Sequence, residues 1–138
     1  MARVVLADSG ALVAALDRRD EHHAWARAHF EAFRQPCFTC DAVLSESFFL
    51  LGGLNAGKET LCTALEREAV RLDFNTPKNL PDIIRLMRRY ADTPMSFADA
   101  CLVRMAELHA DVAIFTVDSD FRIYRRNGRH IIPVIAPW

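Results

Sequence analysis

A parallel β-sheet with helices on both faces is the architecture this sequence predicts. Two short runs, 3–7 (Arg-Val-Val-Leu-Ala) and 112–116 (Val-Ala-Ile-Phe-Thr), are almost continuously apolar, as strands buried on both faces must be. Between and after them, segments with the period of a strand alternate with segments with the period of a helix. The chain has 138 residues, 51% of them hydrophobic, which is enough to enclose one core in a single domain spanning 1–138.

The first strand, 3–7, ends at Asp8. Ser9-Gly10 is expected to turn the chain before a helix begins over 11–16. An acid at that junction is either a helix cap or a functional group placed at a strand end. Residues 17–21 form a charged corner. A helix over 22–33 sets Trp25, His29 and Phe33 one turn apart, with His22 and His23 on the surface at its start. Residues 36–40 read as the second strand, and Asp41 is expected to cap a helix over 42–51. Inside that helix, the neighbours of Glu46 one turn away are Ala42, Val43, Phe49 and Leu50. All four are apolar, so Glu46 is expected on a packed face.

Gly52-Gly53-Leu54-Asn55-Ala56-Gly57-Lys58 has the spacing of a phosphate-binding P-loop. Glu59 stands where a magnesium-binding hydroxyl is required, and the segment follows a helix instead of a strand. It reads as a turn between two helices, the second over 59–68. Val70-Arg71-Leu72-Asp73-Phe74 alternates as a half-buried strand does. Leu80, Ile83, Ile84, Met87 and Tyr90 mark an amphipathic helix, whose other face carries Arg85, Arg88 and Arg89. Those arginines are either solvated or part of a phosphate-tracking patch.

Pro94 forbids a helix through it, and Ser96 with Asp99 three residues on is a capping-box pattern for a helix reaching about residue 109. On the helical wheel Arg104, Glu107 and Asp111 share a solvated face, while Asp99 lies beside Leu102, Val103 and Ala106. A carboxylate among apolar neighbours is costly unless something compensates it. The strand 112–116 runs straight into Asp118, repeating the geometry of Asp8. Arg122, Arg125, Arg126 and Arg129 follow, and 131–135 is expected to form a last strand. No repeat, linker or low-complexity segment interrupts the chain.

The formal net charge of −1 gives no global nucleic-acid signature, so any RNA contact is a local patch. No run approaches the ~18 apolar residues of a membrane span. Asp8 interrupts the apolar N-terminal stretch, which argues against a signal peptide and for a cytoplasmic chain with no membrane partner. Of the four cysteines, Cys37 and Cys40 form a lone CxxC in strand context, and His22, His23, His29, His109 and His130 show no zinc-finger spacing. Reduced, mostly buried thiols are expected.

Asp8 and Asp118 follow buried strands; Glu46 and Asp99 lie in the early turns of helices. In a parallel sheet all these points can converge at the carboxyl edge. Like charges ~4 Å apart repel by about 4 kcal/mol at an effective dielectric of 20, so converging carboxylates stay protonated or recruit a cation. All-oxygen ligands suit Mg²⁺ or Mn²⁺ over zinc. Such an ion activates water and stabilises the charge built up on a phosphodiester in displacement.

The motifs Asp8-Ser9-Gly10-Ala11, Leu44-Ser45-Glu46, Pro94-Met95-Ser96-Phe97-Ala98-Asp99-Ala100 and Thr116-Val117-Asp118-Ser119-Asp120-Phe121 resemble those of PIN-domain ribonucleases, above all the toxins of VapBC toxin–antitoxin pairs. The resemblance runs in order through essentially the whole chain. It implies a three-layer α/β/α sandwich and Mg²⁺- or Mn²⁺-dependent endoribonuclease activity. It also implies a homodimer, and an antitoxin whose C-terminal segment fills the active-site groove. By resemblance Asp8, Glu46 and Asp99 are the metal-binding acids. Asp8 and Asp99 would hold the principal ion, and Glu46 would complete the site or orient the attacking water. Asp118 is the fourth acid, with Asp120 a competitor for that role. Ser9 and Thr116 match supporting polar positions, and Cys40 stands where many relatives carry a second threonine, with a consequence for packing only. Arg122, Arg125 and Arg126 are the candidates for contacts to the RNA backbone. The alternatives are a PIN nuclease of RNA processing without an antitoxin and a non-catalytic PIN-like binding protein; the presence of all four acids argues against the second. Phosphoacceptor folds fail, since receiver domains need paired acids after the first strand and haloacid phosphatases need Asp-x-Asp, whereas Ser9-Gly10 follows Asp8.

Overall fold

The structure, a computed structural model, describes residues 2–53 and 56–138. Strand β1 (Val4–Ala7) leads into helices α1 (Ser9–Leu16) and α2 (His23–Ala32). Next come β2 (Cys37–Thr39), α3 (Asp41–Leu51), α4 (Gly57–Glu66) and β3 (Val70–Leu72), then α5 (Thr76–Arg89) and α6 (Phe97–Glu107). After β4 (Val112–Phe115) a 3₁₀ turn (Ser119–Arg122) precedes three short strands, β5 (Arg125–Arg126), β6 (His130–Ile131) and β7 (Val134–Ile135).

Five strands form a sheet in the order β3-β2-β1-β4-β7, with every neighbouring pair parallel. Every residue of β4 and the last three of β1 are buried, which requires cover on both faces of the sheet's centre. Phe115 in β4 meets Trp25 and Phe33 at ring distances of 5.5 and 5.3 Å. The chain winds outward from β1 through β2 to β3, then returns to lay β4 on the other side of β1. The β1–β4 junction is therefore the point where the winding reverses, the place where such sheets open a crevice at their carboxyl edge. Among the described residues no helix is long and apolar enough to cross a membrane.

Several expectations need correction. Ser9 and Gly10 are the first turn of α1, because Asp8 itself caps the helix. Asp41 lies inside α3 and Cys40 takes the cap position without a capping bond, so Cys40 is not in strand context. His23 is half-buried, with Nδ1 2.7 Å from the Ala14 carbonyl. Of the P-loop look-alike, Leu54 and Asn55 lie outside the described residues; the segment joins α3 to α4, which starts at Gly57, two residues ahead of the expected start at 59. Leu72 is 51% exposed because β3 is the sheet's edge, where cover stops after Val70. The stretch 131–135 is two strands: β6 pairs antiparallel with β5, whereas β7 joins the main sheet beyond Pro133, which has no N–H to give a ladder.

The inner stripe of α5 is Asn79, Ile83, Leu86 and Tyr90, which turns Leu80 and Ile84 outward. Asn79 accepts from Arg104 Nε at 3.0 Å. The Glu107 side chain, expected in solvent, is 1% exposed and accepts from Arg85, Arg104 and the Asn127 N–H. The four cysteines are free; Cys37, Cys40 and Cys101 are buried and Cys62 half-buried. Burial pushes the Cys37 thiol up to about 12, which leaves it inert at neutral pH.

Candidate active site

At the β1–β4 junction lies a cleft of about 290 Å³, lined by Asp8, Glu46, Asp99 and Asp118 together with Ser9 and Ser96. Among the described residues no lysine, arginine or histidine lines it. Four acids thus share one small space with no internal counter-charge.

Asp8 sits where β1 hands over to α1, and its N–H donates to the Phe115 carbonyl of β4 at 3.0 Å. Its Oδ1 accepts from the Ser9 N–H at 2.8 Å and its Oδ2 from the Thr116 hydroxyl at 2.7 Å. Only 6% of Asp8 is exposed. Burial pushes its carboxyl up to about 7, Asp99 and Asp118 push the same way, and the bonds from Thr116 and Ser9 oppose them. Thr116 also accepts from the Asp118 N–H at 2.9 Å, so one buried hydroxyl ties Asp8 to the loop carrying Asp118. Asp118 caps the 3₁₀ turn through the Asp120 N–H at 2.9 Å. Asp118 faces the cleft, and Asp120 is not among its lining residues.

Asp99 forms the expected capping box with Ser96, at 3.0 and 3.1 Å. It is buried, and burial raises its carboxyl above the ordinary range, with Asp118 adding to the effect. Glu46 corrects an expectation. It is exposed, and so are its neighbours Phe49 (83%) and Leu50 (47%), because α3 buries its Val43, Leu44, Ser47 and Leu51 side instead. Its Oε1 accepts from the Ser9 hydroxyl at 2.9 Å, which holds the glutamate at the mouth of the cleft.

Two supporting residues, Thr39 and Tyr124, carry no sequence signal, and a third, Gly10, carries one only as part of the Asp8-Ser9-Gly10-Ala11 motif. The buried Thr39 hydroxyl donates to the Ala7 carbonyl at 2.8 Å, bracing the end of β1. The Tyr124 hydroxyl donates to Asp99 Oδ2 at 3.3 Å. A Cβ on Gly10 would stand 2.7 Å from Val117 Cγ2, so only glycine lets α1 approach the Asp118 loop this closely.

The three arginines expected at RNA are engaged elsewhere. Arg122 stacks over the Trp138 ring at 4.8 Å. Arg125 donates to the carbonyls of Arg122, Ile123 and Tyr124, and Arg126 to those of Ala106, His109 and Ala110 at the end of α6. None of the three lines the cleft.

The donor set, four carboxylates with no cation beside them, fits a hard divalent ion. As placed, no three acid, histidine or cysteine side chains among the described residues converge on one ion. The carboxylates are instead turned onto donors of the chain itself: Ser9 and Thr116, Ser96 and Tyr124, and the Asp120 N–H.

The family model of the PIN domain matches residues 5–127. The crystal structure of the Mycobacterium tuberculosis toxin VapC20, described as cleaving the sarcin–ricin loop, superposes with a TM-score of 0.75. The match covers 84% of this chain and 91% of that one at 18% sequence identity, and at that identity it is a likeness of fold. No curated protein matches the sequence.

Proposed function

The chain belongs to the PIN-domain family, and from that premise we propose that it is a divalent-metal-dependent endoribonuclease, the toxin of a toxin–antitoxin pair. The observation that carries the proposal is the cleft at the β1–β4 junction, where four carboxylates from four parts of the chain meet without a basic residue. Mg²⁺ or Mn²⁺ held by Asp8, Asp99 and Asp118, with Glu46 completing the set, would supply an acidified water and offset the charge that builds up on a phosphodiester.

The chain's own residues do the rest. Thr116 and Ser9 fix both oxygens of Asp8, so its charge is aimed before any ligand arrives. Ser9 occupies Oε1 of the exposed Glu46, and Oε2, which accepts from no protein donor among the described residues, either completes the ion's ligands or orients the attacking water. The acidic cleft repels a phosphate backbone, so RNA must enter with its charge offset, as a bound divalent ion would do.

The exposed Phe49 and Leu50, one turn beyond Glu46, support a protein partner that covers the mouth, as an antitoxin does. The outward Leu80 and Ile84 of α5 support a second copy as a further partner. The deciding experiment incubates purified, partner-free protein with total RNA and with a sarcin–ricin-loop hairpin, the substrate named for the M. tuberculosis toxin. It is run with Mg²⁺ or Mn²⁺, with chelator, and with Asp99→Asn. Discrete products that need both the metal and Asp99 are expected. Cleavage that survives chelator and Asp99→Asn, or no cleavage at all by folded protein, overturns the proposal.

A further inference from the structure

Asp99 presents its two oxygens unequally. Oδ2 accepts twice, from the Ser96 N–H at 3.1 Å and the Tyr124 hydroxyl at 3.3 Å, while Oδ1 accepts from no protein donor among the described residues. The capping box accounts for the first of these bonds. It does not account for the second, which comes from a residue outside the helix altogether. Tyr124 is fully buried, and its ring stands edge-on to Tyr90 at 5.2 Å and to Phe121 at 5.3 Å. Packing therefore fixes where the hydroxyl points, and among the described residues Asp99 is its one partner. A buried tyrosine hydroxyl aimed at a cleft carboxylate is more than a packing element.

A side-chain hydroxyl also holds the other buried acid, though there the Ser9 N–H takes the second oxygen as well. Thr116 holds Asp8 by Oδ2, as Tyr124 holds Asp99 by Oδ2. Thr116 and Tyr124 lie on either side of Asp118 in one continuous segment. That segment thus orients two acids with its hydroxyls and contributes the third itself.

We propose that Tyr124 is a positioning residue for cation binding: its hydroxyl holds Oδ2 of Asp99 so that Oδ1 faces the cleft, in fixed relation to Asp118. The proposal rests on the metal-dependent reading above. Partners that orient a ligating group from outside the site contribute to affinity without touching the ion.

Tyr124→Phe tests this, because it keeps the ring and its packing and removes only the hydroxyl. Asp99 Oδ2 retains the Ser96 N–H, so the fold is expected to persist, checked by circular dichroism and the metal-free melting curve. Calorimetric titration with Mn²⁺ alone, without RNA, compares wild type, Tyr124→Phe, Asp99→Asn and the double variant. Wild type is expected to bind Mn²⁺, and Tyr124→Phe to bind it about 10- to 100-fold more weakly. In the Asp99→Asn background, Tyr124→Phe is expected to cause no further loss, since its effect runs through Asp99. Cleavage by Tyr124→Phe is expected to recover as Mn²⁺ is raised, with KM for RNA unchanged. Wild-type Mn²⁺ affinity in Tyr124→Phe overturns the positioning role and leaves the metal-dependent reading standing. A wild type that binds no Mn²⁺ overturns both.

Discussion

Asp8 is 6% exposed, and Asp99 and Asp118 add negative charge to a site that burial has already made hostile to one. Its carboxyl is pushed from 3.8 up to about 7, so between those values the folded protein holds a proton that the unfolded chain releases. Stability without metal therefore falls as pH rises through that window, and Asp99, also raised, acts in the same direction. A shift of that size corresponds to roughly 4 kcal/mol at pH 8. Asp8→Asn removes the charge, and its amide oxygen can still accept one of the two bonds. The variant is expected to lose cleavage yet gain about 2 kcal/mol of metal-free stability at pH 8, with a much flatter dependence between pH 5 and 8. Urea unfolding in chelator at the two pH values measures this, and a variant less stable than wild type at pH 8 refutes it. Asp8 and Asp118 were legible as candidates because the strand ends that carry them were legible, whereas Ser9 and Thr116 stood out only through the family resemblance. Tyr124 did not stand out at all: it sits in a segment without periodicity, and its partner is 25 residues away in sequence.

The approach of α1 to the Asp118 loop is decided by an absent side chain. In most helices Gly→Ala gains up to ~1 kcal/mol. At Gly10 the new Cβ would meet Val117 Cγ2 at 2.7 Å, and a β-branched side chain has little freedom to give way. Gly10→Ala is expected to cost about 1–3 kcal/mol net and to displace Asp118, lowering cleavage. Adding Val117→Ala removes Cγ2 and should restore both the melting temperature and the activity. Failure of that second change to rescue would place the cause elsewhere. Sequence patterns located nearly every element but misjudged several faces. Periodicity says which positions share a face, not which face finds cover. So Glu46, Phe49 and Leu50 share the outer face of α3, where an inner one was expected, and the buried stripe of α5 is rotated away from Leu80 and Ile84. The late strand pair was not separable in the sequence because β6 and β7 are only two residues apart but pair with different strands, β5 and β4, and local pattern does not reveal pairing partners.

For the molecule as a whole, the parallel sheet was readable because its two central strands are buried on both faces and so leave unbroken apolar runs. That topology brings the strand ends with Asp8 and Asp118 to one edge, while Asp99 and Glu46 reach the same cleft from helices α6 and α3. What did not follow was where the basic residues go, since Arg125 and Arg126 serve backbone carbonyls and the four acids of the cleft have no basic residue beside them among the described lining residues. A cleft whose buried acids, Asp8 and Asp99, have no counter-charge among its described lining residues makes metal, proton and fold compete. At a Mn²⁺ concentration about 100 times its dissociation constant at pH 8, binding adds about 2.7 kcal/mol to stability, or about 10 °C in a domain of this size. At pH 5 the ion must first displace the proton from Asp8, whose carboxyl titrates at about 7. That two-unit gap weakens apparent binding about 100-fold, and the same Mn²⁺ then adds only about 0.4 kcal/mol. Melting curves at both pH values, with Mn²⁺ and with chelator, are therefore expected to differ by about 10 °C at pH 8 and by about 2 °C at pH 5. Asp8→Asn should lose most of the shift at pH 8. Equal shifts at the two pH values, or a full shift in Asp8→Asn, would mean that the ion binds somewhere other than this cleft.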